Sequence, residues 1–237
     1  MNNYKVCILA AGVGNRMGNF TKHFNKALIP VQGKPAINHI LEKIPKNIET
    51  IVALGHLKDG LRAYIETAYP ERRFTFVEVD RYTGPGTGPG YSLLKCRAFL
   101  ECPFVYESAD TLFLESISIP DQNWFGVARV LNTERFCSVK IKEGKIVRID
   151  DKNKNNNQLA FIGLAGVKDY PHFWRALEEN QNLIGGEIQV SNGFKALLNY
   201  GLIPIEFTWF DTGTPQSYKH ALENYPNGPS FGGKNEL

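Results

Sequence analysis

The chain of 237 residues contains no apolar run that approaches the ~20 residues needed to cross a membrane. It also lacks a dense basic run, because its 27 Lys and Arg residues are spread among 24 acidic ones and leave a net charge of +3. These absences argue against a membrane protein and against nucleic-acid binding. The first residues do not show the basic, apolar and small-residue succession of a signal peptide, so we expect a cytoplasmic location.

Cysteine is scarce and shows no metal-binding pattern. The four cysteines, Cys7, Cys96, Cys102 and Cys137, stand in mainly apolar surroundings without paired spacing, and the five histidines show no metal spacing either. We therefore expect reduced core thiols. The sequence also has no internal repeat. What remains, with 43% hydrophobic and 22% charged residues, is the composition of an ordinary globular enzyme.

Hydrophobic patterning alternates between strands and helices in the first half of the chain. Strands are predicted over Tyr4–Leu9, Thr50–Leu54, Arg73–Val79 and Phe104–Ser108, and helices over Ala36–Glu42, Leu57–Ala68 and Tyr91–Phe99. This alternation is typical of a parallel, doubly wound sheet.

The second half is more mixed. Strands are predicted over Phe125–Leu131, Phe136–Lys142, Lys145–Ile149, Leu159–Val167 and Leu202–Trp209, and helices over Tyr170–Asn180, Ile188–Asn199 and Gln216–Tyr225. Glu143-Gly144 is a candidate hairpin turn. The expected fold class is therefore α/β: a Rossmann-like, doubly wound, mixed but mostly parallel sheet with a smaller antiparallel lobe. We expect one domain over residues 1–225 and a mobile tail, rich in Gly, Pro and Asn, over 226–237.

A glycine-rich loop follows the first predicted strand. Gly12, Gly14 and Gly18 are close to Arg16, and Lys26 follows on a short loop. Small residues let the backbone approach a ligand closely, and the two cations can neutralise phosphates. The pattern predicts a nucleoside triphosphate site. The glycine spacing is one residue longer than the dinucleotide fingerprint, and a plain strand-to-helix turn is the alternative.

Four ordered motifs resemble the nucleotidyltransferases that activate sugar phosphates and related phosphorylated metabolites, in their compact single-domain form. The motifs are Leu9–Met17 continued by Lys26–Pro35, then Gly84–Gly88, Ser108–Asp110 and Trp209–Pro215. The resemblance implies transfer of a nucleotidyl group from an NTP to a sugar 1-phosphate with release of pyrophosphate and with Mg²⁺ as cofactor. It also implies a nucleotide-binding half over about 1–120 and an acceptor-binding half over about 121–225.

The resemblance assigns the nucleotide site to the glycine-rich loop and its two cations. Arg16 would hold the β- and γ-phosphates, and Lys26 would reach the α-phosphate and the incoming phosphate; the alternative for each is a solvated surface cation. The other residues implied for nucleotide binding are Leu9, Ala10, Ala11, Gly12, Gly14 and Asn15 on the loop, with Gly86 and Gly88 near the base.

Two aspartates stand at the ends of predicted strands, where open α/β sheets bind ligands. By resemblance, Asp110 and Asp211 would hold Mg²⁺, a cation that prefers carboxylate, phosphate and water oxygens. The alternative for each is a helix N-cap or a turn.

The acceptor site is assigned by weaker matches. Lys152 resembles the lysine of an E-K-P segment and would meet the acceptor phosphate; Asn153 replaces the proline, so Lys154 is a rival. Glu187 resembles a glutamate that accepts sugar hydroxyls. Gly163 resembles a glycine beneath the sugar, although it could equally ease packing in a sheet.

The resemblance leaves the nucleotide, the acceptor and the reaction open to several interpretations. CTP or UTP is favoured, and the product would serve surface-glycan synthesis, of capsule or lipopolysaccharide. A cytidylyltransferase acting on a phospho-alcohol is one alternative, and a non-catalytic nucleotide-binding protein is another. An NAD-dependent oxidoreductase is disfavoured because the second strand ends Ala53-Leu54-Gly55 without an acidic residue for the ribose. We expect no nucleic-acid or membrane partner and leave a homodimer open.

Overall fold

The computed structural model describes residues 4–226, so the predicted mobile tail lies almost wholly outside the described residues. The strands are β1 (Lys5–Ala10), β2 (Pro30–Val31), β3 (Lys34–Pro35), β4 (Thr50–Leu54), β5 (Phe74–Glu78), β6 (Phe104–Ser108), β7 (Thr111–Phe113), β8 (Trp124–Arg129), β9 (Cys137–Lys142), β10 (Lys145–Asp151), β11 (Leu159–Val167), β12 (Leu183–Ile184), β13 (Glu187–Ile188), β14 (Ile203–Glu206) and β15 (Trp209–Asp211).

Helices cover the sheet and connect its strands. The α-helices are α1 (Ala36–Leu41), α2 (Lys58–Ala68), α3 (Pro89–Cys96), α4 (Tyr170–Glu179), α5 (Ser191–Leu197) and α6 (Pro215–Asn224), and 3-10 turns span Asn15–Thr21, Lys26–Leu28, Arg97–Phe99 and Leu198–Tyr200. None of these helices is long and apolar enough to span a bilayer.

The large sheet has nine strands and confirms the predicted fold class. Its path runs β10-β9-β11-β6-β1-β4-β5, while β8 pairs with the other edge of β11 and β14 pairs with β8. Strands β6, β1, β4 and β5 are parallel, whereas β11 runs antiparallel to β6, β8 and β9. The antiparallel strands of the second half therefore extend the same sheet. Division of the chain into a single domain with two functional halves stays a prediction.

Alternate residues of the central strands pack on opposite faces of the sheet, as strand geometry requires. On one face Ile8 and Val52 join a buried cluster with Leu61 of α2. On the other face Cys7 joins a cluster with Leu93 of α3. Burial on both faces explains why these strands appear in the sequence as continuous apolar runs.

Most predicted elements differ from the structure by one or two residues at their ends, and two differ in kind. The helix predicted over Ile188–Asn199 begins only at Ser191, because Ile188 belongs to β13 and pairs with β12. The strand predicted over Leu202–Trp209 is divided into β14 and β15. Between the two strands, the backbone N–H of Thr208 donates to the Glu115 carboxylate (2.9 Å).

The cysteines are free thiols, as predicted, but not all lie in the core. Cys7 and Cys96 are buried, whereas Cys102 and Cys137 are only partly covered. The Glu143-Gly144 turn joins β9 to β10 as predicted, with φ of +50° and +73° at the two turn positions. Such positive φ angles suit the twist of a two-residue hairpin.

Candidate active site

The glycine-rich loop leaves the carboxyl end of β1 and folds into the 3-10 turn that starts at Asn15. The carbonyl oxygen of Gly14 accepts the backbone N–H of Met17 (2.8 Å) and the hydroxyl of Thr21 (3.3 Å), which closes the loop on itself. Arg16 projects from this turn with 62% of its side chain exposed. The loop thus presents its backbone and an exposed cation at the sheet edge where α/β proteins bind ligands.

Lys26 and Asp110 meet across the cleft. Lys26 opens a short 3-10 turn, Asp110 follows β6, and the lysine ammonium forms an ion pair with the aspartate carboxylate. The hydroxyl of Ser108 donates to Oδ1 of Asp110 (2.6 Å). A guanidinium nitrogen of Arg16 lies 3.9 Å from Oδ2 of Asp110, the oxygen that pairs with Lys26. Burial alone would raise the pKa of Asp110, but Lys26, Ser108 and Arg16 together hold that pKa below its usual value.

Asp211 reaches the same point from a distant part of the chain. Asp211 is the last residue of β15 and pairs with Thr111 of β7. Thr111 immediately follows Asp110 in the chain. Its carboxylate accepts the backbone N–H of Gly213 (2.8 Å). Burial raises the pKa of Asp211, and the neighbouring negative charge of Asp110 adds to the effect. Asp211 is therefore the first of the two carboxylates to be protonated as the pH falls.

The position of Gly213 shows how closely the charged groups converge. A Cβ added there would lie 2.9 Å from Asp211 Oδ1, 3.0 Å from Asp110 Oδ2 and 3.1 Å from an Arg16 nitrogen. Within residues 4–226, no cluster of three or more His, Cys, Asp or Glu residues is placed to hold a metal. Two carboxylates beside an open cleft fit Mg²⁺, which binds proteins through one or two carboxylates and completes its shell with phosphate and water oxygens.

These groups line a cleft of about 660 Å³ that continues from the glycine-rich loop to the second half of the chain. Apart from Gly86, every residue that the sequence assigned to the site borders this cleft. On the nucleotide side they are Leu9, Ala10, Ala11, Gly12, Gly14, Asn15, Arg16, Lys26 and Gly88; the remaining ones are Asp110, Lys152, Gly163, Glu187 and Asp211. Their roles stay predictions.

Gly86 lies in a loop that is bonded to the hairpin of β12 and β13. Its backbone N–H donates to Gly186 (2.9 Å), and the N–H of Ile188 donates to Thr87 (2.8 Å). Glu187, on the same hairpin, accepts a hydrogen bond from Gln189 (2.8 Å). The hairpin therefore connects the loop predicted to bind the base with the glutamate predicted to bind the acceptor.

The acceptor side separates the two rival lysines. Lys152 borders the cleft, whereas Lys154 borders a separate depression. Lys152 has a φ of +45°, and its backbone N–H donates to Phe136 (2.9 Å). A non-glycine residue held at positive φ is strained, and such strain concentrates at functional sites.

Gly163 is required by its surroundings. Its φ is +90°, and a Cβ there would lie 2.8 Å from the Cβ of Ser108 and 2.9 Å from the Thr111 hydroxyl. The glycine thus lets β11 pass directly beneath the segment that carries Asp110. Both readings of the sequence, a packing glycine and a site glycine, are compatible with this position.

Several cleft residues were missed by sequence reasoning. Tyr82 and Arg135 border the cleft from loops, and Asp151 borders it while paired with Lys195 of α5 (2.7 Å). Asn25 lies beneath the glycine-rich loop. The one signal available for Asn25 was its place immediately before Lys26 in the motif. Asp151 immediately precedes Lys152, whereas Tyr82 and Arg135 lie in segments without a distinctive local pattern.

Comparisons with known proteins agree with this architecture. Residues 6–116 match the family profile of the MobA-like NTP transferase domain. A bifunctional protein GlmU of Methanococcus maripaludis is 27% identical over 228 residues, which cover 93% of this chain and 54% of that protein. This chain therefore spans about half the length of the GlmU proteins that it matches.

Solved structures show the same fold. A UDP-glucose pyrophosphorylase complexed with UDP-glucose has a TM-score of 0.78 at 20% identity, covering 94% of this chain and 98% of that one. The CTP:phosphocholine cytidylyltransferase LicC of Streptococcus pneumoniae has a TM-score of 0.70 at 21% identity, covering 93% and 98%.

The fold and the cleft define a Rossmann-like α/β protein whose ligand site opens at the carboxyl edge of the sheet. With the domain match over residues 6–116 and the GlmU likeness along nearly the whole chain, the protein is similar to nucleotidyltransferases that act on sugar phosphates.

Proposed function

We propose that this protein transfers a nucleotidyl group from an NTP to the phosphate of a small phosphorylated metabolite, preferably a sugar 1-phosphate, and releases pyrophosphate. The observation that carries the proposal is the convergence of Arg16, Lys26, Asp110 and Asp211 around one point at the end of the glycine-rich loop. This point lies within a cleft that continues to Lys152 and leaves room for a second substrate.

The reaction requires neutralisation of phosphate charge and needs no side-chain nucleophile. An acceptor phosphate oxygen attacks the α-phosphorus, a new P–O bond forms, and the bond to the bridging oxygen of the β-phosphate breaks as pyrophosphate leaves. Two anions must approach each other, so neutralising and aligning them lowers the barrier. In this proposal the backbone of the glycine-rich loop and the Arg16 guanidinium bind the leaving phosphates.

Lys26 is the cation for the reacting centre, because it is held at the cleft floor by Asp110. Arg16 is more exposed and can follow the phosphates as charge moves onto them. When bound by Asp110 and Asp211, Mg²⁺ would supply further neutralisation of phosphate charge.

On the acceptor side, Lys152 supplies the charge for the acceptor phosphate and Glu187 a hydrogen-bond acceptor for hydroxyls. A second class of acceptor, a phospho-alcohol, is favoured by one observation: the rings of Phe136 and Trp209 border the cleft and pack edge to face, with centroids 5.7 Å apart. Such rings offer a surface to an apolar or cationic head group. The Streptococcus pneumoniae neighbour, by its name, uses phosphocholine.

The wider assignments of the sequence remain part of the proposal. CTP or UTP is the preferred nucleotide, the location is cytoplasmic, and the product enters surface-glycan synthesis. A homodimer stays open. An NAD-dependent oxidoreductase and a non-catalytic nucleotide-binding protein are the competing functions, and each predicts a different result when the protein is supplied with NTPs and, separately, with NAD.

The test is a matrix of the four NTPs against sugar 1-phosphates and phospho-alcohols with Mg²⁺, in which pyrophosphate and the nucleotidylated product are both measured. We expect one NTP and acceptor pair to dominate and Lys26→Met to lower its turnover by about 100-fold or more. Lys34→Met is the matched control, because Lys34 pairs with Glu42 on the exposed surface (2.6 Å). Binding of an NTP without pyrophosphate release would favour the non-catalytic reading, and hydride transfer to NAD would favour the oxidoreductase.

A further inference from the structure

Asn25 is a buried side chain at the floor of the cleft that none of the proposed steps uses. Only 1% of its surface is exposed. It immediately precedes Lys26 and caps the 3-10 turn that this lysine opens, because its Oδ1 accepts the backbone N–H of Ala27 (2.9 Å). The side-chain oxygen is therefore committed to fixing the backbone of the lysine turn.

The side-chain amide nitrogen of Asn25 donates hydrogen bonds to two other segments of the chain. It donates to the carbonyl oxygen of Ala10, where β1 ends, at 2.8 Å, and to the carbonyl oxygen of His56, after β4, also at 2.8 Å. A further bond joins these segments, since the backbone N–H of His56 donates to Ala11 (2.9 Å). One side chain thus connects the start of the glycine-rich loop, the end of a neighbouring strand and the lysine turn.

The chemistry of this position selects asparagine. Two donors and one acceptor are needed at once, and an amide supplies them in a fixed plane. A serine could cap the turn but would leave a buried carbonyl without its donor. An aspartate would set a carboxylate oxygen against two carbonyl oxygens, so both replacements release the connection between the segments.

We infer that Asn25 is a positioning residue that fixes Lys26 relative to the backbone of the glycine-rich loop. The inference rests on the proposed function, because the place it fixes is the place of the reacting phosphates. Its side chain need not touch substrate. Loss of its contacts lets the lysine turn move independently of the loop, and a displacement of about 1 Å near reacting groups can cost roughly 100-fold in rate.

The experiment is a kinetic cycle of Asn25→Ser and Lys26→Met, alone and together. We expect Asn25→Ser to lower kcat by about 10- to 100-fold. The KM of the acceptor should change by less than about threefold, because Lys152 and Glu187 make no contact with Asn25. In the Lys26→Met background the same substitution should change kcat by less than about threefold, since the lysine that it positions is already gone.

Asn123→Ser is the matched control. Asn123 is equally buried and is bonded to Asp169 and Lys168 away from the cleft, so its loss tests stability without touching Lys26. Its kcat should stay within about twofold of wild type at temperatures where the variants are folded. If Asn25→Ser does not fold, Asn25→Asp takes its place, because it keeps the size and the cap.

Two outcomes overturn the inference: an unchanged kcat in a folded Asn25 variant, or an equal fold-loss in the presence and absence of Lys26. An inactive wild-type enzyme would instead contradict the proposed function, so the two failures are distinguishable.

Discussion

Replacing Lys26 with methionine should destabilise the protein as well as inactivate it. The side chains of Lys26 and Asp110 are only 17% and 13% exposed, so removing the cation leaves a carboxylate in a largely buried site beside Asp211. Breaking a buried ion pair from one side costs about 3–5 kcal/mol. Ser108 and Arg16 still face the carboxylate, so we expect a smaller cost than this, about 2–3 kcal/mol.

The destabilisation should depend on pH in a defined direction. Burial would raise the pKa of Asp110, but Lys26 and its neighbours lower it, so the folded state favours the charged carboxylate. That stability is present above the unfolded pKa of ~3.9 and is lost as the pH falls through the folded pKa. Urea unfolding should therefore show the largest gap between wild type and Lys26→Met near neutral pH, shrinking below about pH 4.

The exposed pair of Lys34 and Glu42 provides the reference. Their side chains are 35% and 47% exposed, so Lys34→Met should cost no more than about 1 kcal/mol. A double-mutant cycle with Asp110→Asn completes the test. Each single substitution should lower turnover by about 100-fold or more, and the stability losses should be clearly less than additive. Losses that add to within about 0.5 kcal/mol would refute the reasoning.

Three further predictions use other parts of the structure. Glu107 is fully buried, neither of its oxygens has a hydrogen-bond partner in the described part of the chain, and burial followed by the charge of Asp110 raises its pKa, with Lys43 opposing. A carboxyl group with a raised pKa in the folded state costs stability as the pH rises above its unfolded pKa of ~4.3. Glu107→Gln should therefore raise the thermal midpoint over wild type, and by more at pH 8 than at pH 5. A midpoint below that of wild type at pH 8 would contradict this. Gly163→Ala should lower the free energy of unfolding by about 1–3 kcal/mol and reduce turnover, because its Cβ meets Ser108. Gly144→Ala is the control: it is also at positive φ but has no neighbouring atom within 4 Å, so it should lose about 1–2 kcal/mol and keep its activity. Equal activity in both variants would argue against the close approach at Gly163. Lys152→Met should raise the KM of the acceptor by about tenfold or more without changing the KM of the NTP, as expected for the loss of a charged hydrogen bond. Lys154→Met should keep the wild-type KM of the acceptor. The opposite result would assign the acceptor phosphate to Lys154.

The central strands could be predicted because their information is local. Thr50–Leu54 and Phe104–Ser108 have the bounds expected from their apolar runs, since each is buried on both faces of a parallel sheet. The helix over Ala36–Leu41 was also predicted, from the proline that precedes it. Predictions failed where long-range pairing competed with local pattern, as at Ile188, which looks helical but joins a two-residue strand.

The candidate site was only partly accessible from the sequence. Gly14, Arg16 and Lys26 lie close together in the chain, and their motif carries its own meaning. Asn25 was missed because a buried asparagine looks like a surface one until its partners at Ala10 and His56 are known.

By itself, the sequence determined the alternation of strands and helices, the glycine-rich loop with its cations, and an aspartate at each of two strand ends. Only the tertiary structure decided that Asp110 and Asp211 face one point, because this depends on the pairing of β15 with β7. It also decided that Lys152, and not Lys154, borders the cleft. Local pattern records which residues are buried or turn, whereas hydrogen-bond register between distant strands is settled by the packing of the whole chain.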